Sequence, residues 1–339
     1  MPRTRFEFIA YANQTASDAI TGELAAACVL WRNIHGLDDA QVCAQVAQDG
    51  IDMLIDLSGH TAGNRLGVFA RRAAPVQLSW LGYFATTGLS EIDHVLMDRL
   101  HVPNELDAGF TEHVEYLDPI RLCYAPPPYA PPPAPAPVLA NDFITFGGFH
   151  NAAKLNQRVL DLWARILAQV PHSRLVLRWK SLDDLGLRER LREPFLRRGV
   201  APGRVLFYAA QPHDTMLALY GEIDIALDTF PFSGATTTCE ALWMGVPVIT
   251  WPGVRPVSRQ SAAMLRTIGH EELCAASADD YLRRAVALAG DGERLRHYRA
   301  TLRATMQNSA LCDARRFAHT FGNALSRIWE STPPAVHDR

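Results

Sequence analysis

The chain has 339 residues, 48% of them hydrophobic and 20% charged, a balance that supports a packed core and excludes an intrinsically disordered chain. Its 33 basic and 36 acidic residues leave a formal net charge of -3, which excludes a general electrostatic pull toward nucleic acid or an anionic membrane. Single cores rarely grow beyond about 250 to 300 residues, so the length predicts two domains.

The opening MPRTRFEFIAYANQ lacks the apolar run of a secretory signal, and no stretch approaches the roughly 20 apolar residues of a bilayer span. FEFIAYA (6–12) reads as a strand, followed by helical patterns around Ala19 to Trp31 and Ala40 to Ala47. IDMLIDL (51–57), PVQLSWL (75–81) and IDHVLM (92–97) read as further strands. Short apolar runs alternating with helices predict βαβ units and a parallel sheet.

Pro126 to Pro137, PPPYAPPPAPAP, excludes helix or central strand because proline fixes φ and donates no amide hydrogen. It is expected to link domains at 1–125 and 138–310, with a C-terminal helix and tail over 311–339. After it, Phe143 to Phe146 reads as a strand, and Val159, Leu162, Trp163, Ile166 and Val170 recur at helical spacing. LVLRW (175–179), a charged helix from Leu182 to Arg198, VLFYA (205–209), a helix near Thr215 to Gly221 and IDIAL (223–227) continue the alternation. Arg188, Arg190, Arg192, Arg197 and Arg198 are interleaved with Glu189 and Glu193, which reads as a solvated helix face. The six cysteines, Cys28, Cys43, Cys123, Cys239, Cys274 and Cys312, show neither CxxC pairs nor zinc-site spacing. The expected location is a reducing cytoplasm, without a membrane partner or metal.

In a doubly wound sheet, ligands gather at the carboxyl ends of strands and at helix N-termini, where amide donors favour phosphate. The run Ser233, Gly234, Ala235, Thr236, Thr237, Thr238 follows one strand and opens a helix; its threonines read either as phosphate ligands or as helix caps. Glu240, one turn on, is placed to accept ribose hydroxyls or to complement the helix dipole. FGGFHNAAKLN (146–156) also follows a strand, and Lys154 is placed to stabilise a departing phosphate. In the first half, GHTAGNR (59–65) and WLGYFATTG (80–88) are strand-end loops. His60 is a candidate acid, base or hydrogen-bond donor, and Arg65 a candidate anion ligand.

Taken in order, GHTAGNR, APVQLSWLGY, TTGLSEID, FGGFHNAAKLN, ALDTFPFSGATTTCEALWMGVPVIT and SRQSAAMLRTIG resemble the catalytic region of protein O-GlcNAc transferases, including the Spindly type and bacterial relatives, over about Phe6 to Trp329. The resemblance implies an α/β glycosyltransferase B fold with two facing Rossmann-like domains. It implies inverting, metal-independent transfer of N-acetylglucosamine from UDP-GlcNAc to serine or threonine hydroxyls of an acceptor protein or peptide, with no cofactor. A Spindly-like use of GDP-fucose, or of UDP-glucose as in related adhesin glycosyltransferases, stays open. Lys154 takes the place of a lysine on the leaving diphosphate, Thr236 and Thr237 of phosphate-binding threonines, and Glu240 of a ribose-binding acid. Gly234 and Ala235 belong to the same donor loop. Asn151 matches a polar position near the diphosphate, Gln211 a position whose backbone meets the base, and His213 a lysine that reaches the ribose. Leu81, Gly82 and Tyr83 match a loop that closes over the sugar, while His60 and Arg65 fall on the acceptor side.

Departures from the family pattern are Met216 for a base-stacking histidine, Ala235 for glycine or histidine, and Phe84-Ala85 for Pro-Gly. Family members also carry a strand and an aspartate- and histidine-bearing loop ahead of the segment like FEFIAYANQ. The first domain is therefore expected to be truncated, with an unpaired sheet position and an exposed apolar face. A nucleotide-sugar-binding remnant without turnover is the alternative.

Overall fold

The structure, a computed structural model, describes residues 5–333. The chain divides into two compact units, one reaching Leu122 and resuming at Arg315, the other spanning Cys123–Ala314.

In the first unit, β1 (Ile9–Ala12), α1 (Ala19–Ala27), β2 (Leu30–Asn33), α2 (Asp39–Gln48), β3 (Met53–Asp56), α3 (Leu66–Phe69), β4 (Val76–Ser79), β5 (His94–Met97) and β6 (His113–Tyr116) follow one another. Asp18 and Asp38 each accept the backbone amide of the third helical residue, at 2.8 Å, and so start α1 and α2. Strands β3 to β6 form one parallel sheet in sequence order, and β1 and β2 form a separate parallel pair. Among the described residues no ladder joins the two sheets. Helix α1 buries none of its residues, and Ile20 and Leu24 are 56% and 55% exposed. The segment read as one helix from Ala19 to Trp31 ends at Ala27, and its last apolar residues form β2.

The second unit contains β7 (Ile144–Gly148), α4 (Gln157–Gln169), β8 (Ser173–Arg178), α5 (Leu185–Arg197), β9 (Val205–Tyr208), α6 (His213–Ala218), β10 (Ile225–Leu227), α7 (Thr236–Trp243), β11 (Val248–Ile249), α8 (Gln260–Thr267), α9 (Ala278–Ala289) and α10 (Gly292–Gln307). Its five strands are parallel in the order β11-β10-β7-β8-β9. The winding reverses between β7 and β10, so the carboxyl ends of these two strands flank the crevice where such folds bind ligands. Helix α4 buries Val159, Leu160, Leu162, Trp163, Ile166 and Leu167 on one face, the apolar stripe its spacing predicts. Trp163 is fully buried and donates its indole N–H to Tyr281 Oη at 3.2 Å; truncating such a core aromatic costs about 3–5 kcal/mol. The charged helix expected from Leu182 begins after Asp184, which caps α5, and Arg192 lies over the Phe207 ring instead of in water.

The last helix, α11 (Ala314–Ser331), leaves the second unit and packs Phe321, Ala324, Leu325 and Ile328 against Val76, Leu78, Leu96 and Leu117 of the first. Leu66, Val68, Phe69, Val42 and Val46 form a separate cluster with Ile34 and Ile92. Of the segment expected as a C-terminal helix and tail, residues 315–331 therefore contribute to the first unit's core, and residues 334–339 lie outside the described residues. The proline-rich run, expected as a spacer, belongs to the second unit: Arg303 Nη2 donates to the Pro131 carbonyl at 2.6 Å, Ala136 is buried, and the Val138 amide donates to Asp224 at 2.9 Å. No helix among the described residues is long and apolar enough to cross a membrane.

Candidate active site

The β7–β10 switch point brings two remote segments together. After β7, Asn151 Oδ1 accepts the Ala153 amide at 3.1 Å and starts a short 3-10 turn that ends at Lys154. Asn156 then caps α4 through Oδ1 and donates from Nδ2 to the Phe230 carbonyl at 2.6 Å. This crosslink holds the turn against the loop that follows β10. Nζ of Lys154 consequently reaches the Ser233 carbonyl at 2.9 Å and lies 3.9 Å from the centre of the Phe232 ring. Burial pushes the Lys154 pKa down from that of an ordinary lysine, and the nearby Asp228 carboxylate opposes the shift.

Asp228, at the end of β10, organises the loop after it. Its Oδ1 accepts the amides of Thr229 at 2.9 Å and Gly234 at 2.7 Å, and its Oδ2 accepts the Thr250 hydroxyl at 2.6 Å. Tyr281 Oη donates to the Asp228 carbonyl at 2.9 Å. A β-carbon on Gly234 would lie 2.3 Å from Thr238 Oγ1 and 3.3 Å from Asp228 Oδ1, so glycine is required there by packing. The glycines of β7 have the same reason: β-carbons on Gly147 and Gly148 would strike Ile223 and Leu177. Neighbouring side chains therefore fill the space beside both glycines.

Helix α7 then begins at Thr236, behind Ala235, which supplies no side-chain cap. Thr236 is exposed, Thr237 half-buried and Thr238 buried. Thr238 Oγ1 pairs with Ser261 Oγ at 2.8 Å, so the third threonine is structural. The first two lie at a helix start whose amides and dipole suit an anion. One turn later Glu240 meets His213, with Nε2 2.8 Å from Oε1; Tyr220 also donates toward Glu240, at 3.5 Å. Tyr220 is itself held by buried Arg299, which donates to the carbonyls of Tyr220, Met244 and Ile223; desolvation lowers the Arg299 pKa to about 10. Gln211 is exposed just before α6, and Met216 is half-buried within it. Lys154, Asn151, Gly234, Ala235, Thr236, Thr237, Glu240, His213 and Gln211 thus all lie at or beside the carboxyl ends of the strands or on the helices that follow.

The first unit gathers its own candidates at the ends of β3 and β4. Buried Asp56 accepts the amides of Ser58 and Gly59 at 3.1 and 2.7 Å. A β-carbon on Gly59 would overlap the Tyr83 side chain, and one on Gly82 would lie 1.9 Å from the Leu57 carbonyl. These two close approaches lock the loops together. Leu81 pays for the tight turn with φ of 67°, as the Gly82 amide donates back to Trp80 at 2.9 Å. His60 packs edge-on to Tyr83 and places Nε2 2.8 Å from the Thr87 carbonyl. A carbonyl only accepts, so Nε2 carries hydrogen and the neutral ring keeps a lone pair at Nδ1.

Arg65 is used differently from its expected role on an anion. Its guanidinium donates to Asp39 at 3.1 Å and to the carbonyls of Ile34 and Leu37 at 3.0 and 2.5 Å. With its fork committed to the chain around the start of α2, it is a structural clamp. Asp228 and Glu112, whose carboxylate holds the Thr86 hydroxyl and Thr87 amide at 2.7 Å, escaped the sequence reading; an acid at each strand or loop end was the only available signal.

Two units of parallel sheet flanked by helices, one with a helix start at its switch point, match the glycosyltransferase B fold. A solved sucrose-phosphate synthase, 15% identical over 86% of this chain and 77% of its own, shares this fold with a TM-score of 0.60. The sequence profile described as glycosyl transferase family 41 matches residues 31–121 and 136–321. The chain belongs to that family. It is 39% identical over 332 residues to a tomato (Solanum lycopersicum) protein named probable UDP-N-acetylglucosamine--peptide N-acetylglucosaminyltransferase SPINDLY, covering 96% of this chain and 36% of that one. A mutant O-GlcNAc transferase from Thermobaculum terrenum is 38% identical, with a TM-score of 0.90 over 97% of this chain and 63% of its own. The chain therefore spans about a third of the length of the curated SPINDLY relatives it matches.

Proposed function

We propose that the chain transfers N-acetylglucosamine from UDP-GlcNAc to serine or threonine hydroxyls of a protein or peptide, as the names of its relatives suggest for them. The observation that carries this reading is the convergence of Lys154 on the Ser233 carbonyl, beside the start of α7. A cation and a set of helix amides fixed at one place provide preorganised stabilisation for charge that develops on a leaving diphosphate.

In the reaction, the acceptor oxygen forms a bond to the anomeric carbon as the bond from that carbon to the diphosphate oxygen breaks. Attack opposite the leaving group inverts the configuration. UDP departs with the electron pair, toward Lys154 and the amides of Thr236 and Thr237. Glu240 is assigned to the ribose, with His213 beside it. His60 Nδ1 is the candidate to receive the acceptor's proton. No metal is assigned a role in charge stabilisation, so turnover is expected to survive chelation. The six unpaired cysteines support a reducing, cytoplasmic setting.

Incubating the chain with UDP-GlcNAc, UDP-glucose or GDP-fucose and a Ser/Thr peptide library, followed by mass spectrometry, tests the reading. Peptides carrying N-acetylhexosamine from UDP-GlcNAc are expected. Faster transfer of fucose or glucose would reassign the donor, with half-buried Met216 as the first position to examine for base preference. Nucleotide binding without transfer would favour the binding remnant.

A further inference from the structure

The proline-rich run places one aromatic residue against the edge of the nucleotide site. Tyr129 Oη lies 2.8 Å from His213 Nδ1, and the two rings meet edge to face with centroids 5.8 Å apart. The other nitrogen of His213 is the one that meets Glu240, at 2.8 Å. Tyr129, His213 and Glu240 therefore form a chain of hydrogen bonds from the run to α7.

The run is fastened where this matters. The Ala130 amide donates to the Pro127 carbonyl at 3.0 Å, closing a turn around Tyr129. Arg303 grips the Pro131 carbonyl, and a β-carbon on Gly221 would approach Ala134 to 3.0 Å. Prolines on both sides of Tyr129 restrict the backbone before folding as well as after it, so little entropy is lost in presenting the hydroxyl.

We infer that Tyr129 is a positioning residue for the nucleoside, acting through His213 to hold Glu240 ready for the ribose hydroxyls; this rests on the assignment of Glu240 to the ribose. The chemistry is directional. In neutral His213, the Tyr129 hydroxyl donates to Nδ1, which leaves hydrogen on Nε2 to donate to Glu240. The carboxylate is held at Oε1 by His213 and more loosely at Oε2 by Tyr220, and its remaining lone pairs are the ones assigned to two neighbouring hydroxyls. Loss of the phenol hydroxyl releases the tautomer and the ring orientation, and the carboxylate becomes less ordered.

The test is calorimetric titration of the full chain with UDP and with 2′,3′-dideoxy-UDP, which lacks the hydroxyls in question. Wild type is expected to prefer UDP, and Glu240→Gln to lose most of that preference. Tyr129→Phe should reduce the preference roughly five-fold, the worth of one ordinary hydrogen bond, with dideoxy-UDP binding unchanged. His213→Ala should lose a similar factor, and adding Tyr129→Phe to it should change nothing further. A Tyr129→Phe variant with the wild-type preference, beside a Glu240→Gln variant that has lost it, overturns the role of Tyr129 alone. Equal weakening of both nucleotides by Tyr129→Phe also overturns it, as the mark of general damage. Retention of the preference by Glu240→Gln overturns the ribose assignment and this inference with it.

Discussion

Nζ of Lys154 donates to the carbonyl of Ser233 at 2.9 Å across 79 residues of sequence. This bond joins the segments after β7 and β10 and keeps a partly desolvated ammonium beside the helix that begins at Thr236. A buried lysine whose folded pKa is depressed costs stability at every pH below that value, and the cost fades as pH rises through it toward 10.5. Lys154→Met removes the cost together with one hydrogen bond. The variant is expected to melt within a few degrees of wild type at pH 7 and to lose at least about 10²-fold in turnover. Its stability relative to wild type should fall as pH rises through the lysine's folded pKa. Thermal melts across pH with a donor-hydrolysis assay check both parts.

Asp228→Asn should be more damaging to folding than to any single ligand contact. The side chain is fully buried and accepts from Thr229, Gly234 and Thr250. An amide in its place turns one acceptor into a donor facing donors, at an expected cost of about 2–3 kcal/mol. Gly234→Ala perturbs the same loop by overlap with Thr238. Urea denaturation is expected to show the loss for both variants, and UDP affinity should fall in each.

His60→Ala separates chemistry from donor binding. If Nδ1 takes the acceptor's proton, peptide glycosylation falls about 10²- to 10⁴-fold while UDP affinity stays at the wild-type value. Equal turnover in the two proteins would remove His60 from the reaction.

The turn after β4 provides a paired test of backbone geometry. Leu81 occupies φ of 67°, which glycine accepts freely, whereas a β-carbon on Gly82 would lie 1.9 Å from the Leu57 carbonyl. Leu81→Gly is expected to change stability by no more than about 1 kcal/mol. Gly82→Ala should lose about 2 kcal/mol or more, because the obstacle is backbone. Denaturation of the two variants side by side checks the difference.

Exchange of amide hydrogens should be uneven within the first unit. Among the described residues strands β1 and β2 pair only with each other, and α1 buries none of its residues, so opening that layer exposes little core. Residues 9–33 are expected to exchange well before β4 and β5, whose interior positions Leu78, Leu96 and Met97 are fully buried. Equal protection would contradict this division of stability.

Much of the second unit was legible because its strands are continuous apolar runs and α4 carries a strong one-sided stripe. Strand β2 was hidden because Val29, Leu30 and Trp31 extend the preceding helical pattern with no proline or glycine between them. Strand β6, His113–Tyr116, sets polar His113 and Glu115 between its apolar residues and so shows no continuous apolar run. At the site, the order of motifs pointed to Lys154, Thr236, Thr237 and Glu240, all local to strand ends. Arg65 misled because a guanidinium next to a glycine-rich loop looks available for an anion, and only the folded chain shows the carbonyls of Ile34 and Leu37 on it. Tyr129 stayed out of view for the converse reason: a proline-rich run looks like a spacer until Arg303 and His213 are seen to hold it.

In the proposed function the ends of β7 and β10 bind a nucleoside diphosphate through Lys154 and the start of α7. Calorimetric titration of UDP into the chain and into Lys154→Met tests it most directly. Saturable binding of one UDP per chain is expected, weakened at least about ten-fold by the substitution. Folded chain that fails to bind UDP, or binding unchanged by Lys154→Met, would contradict it.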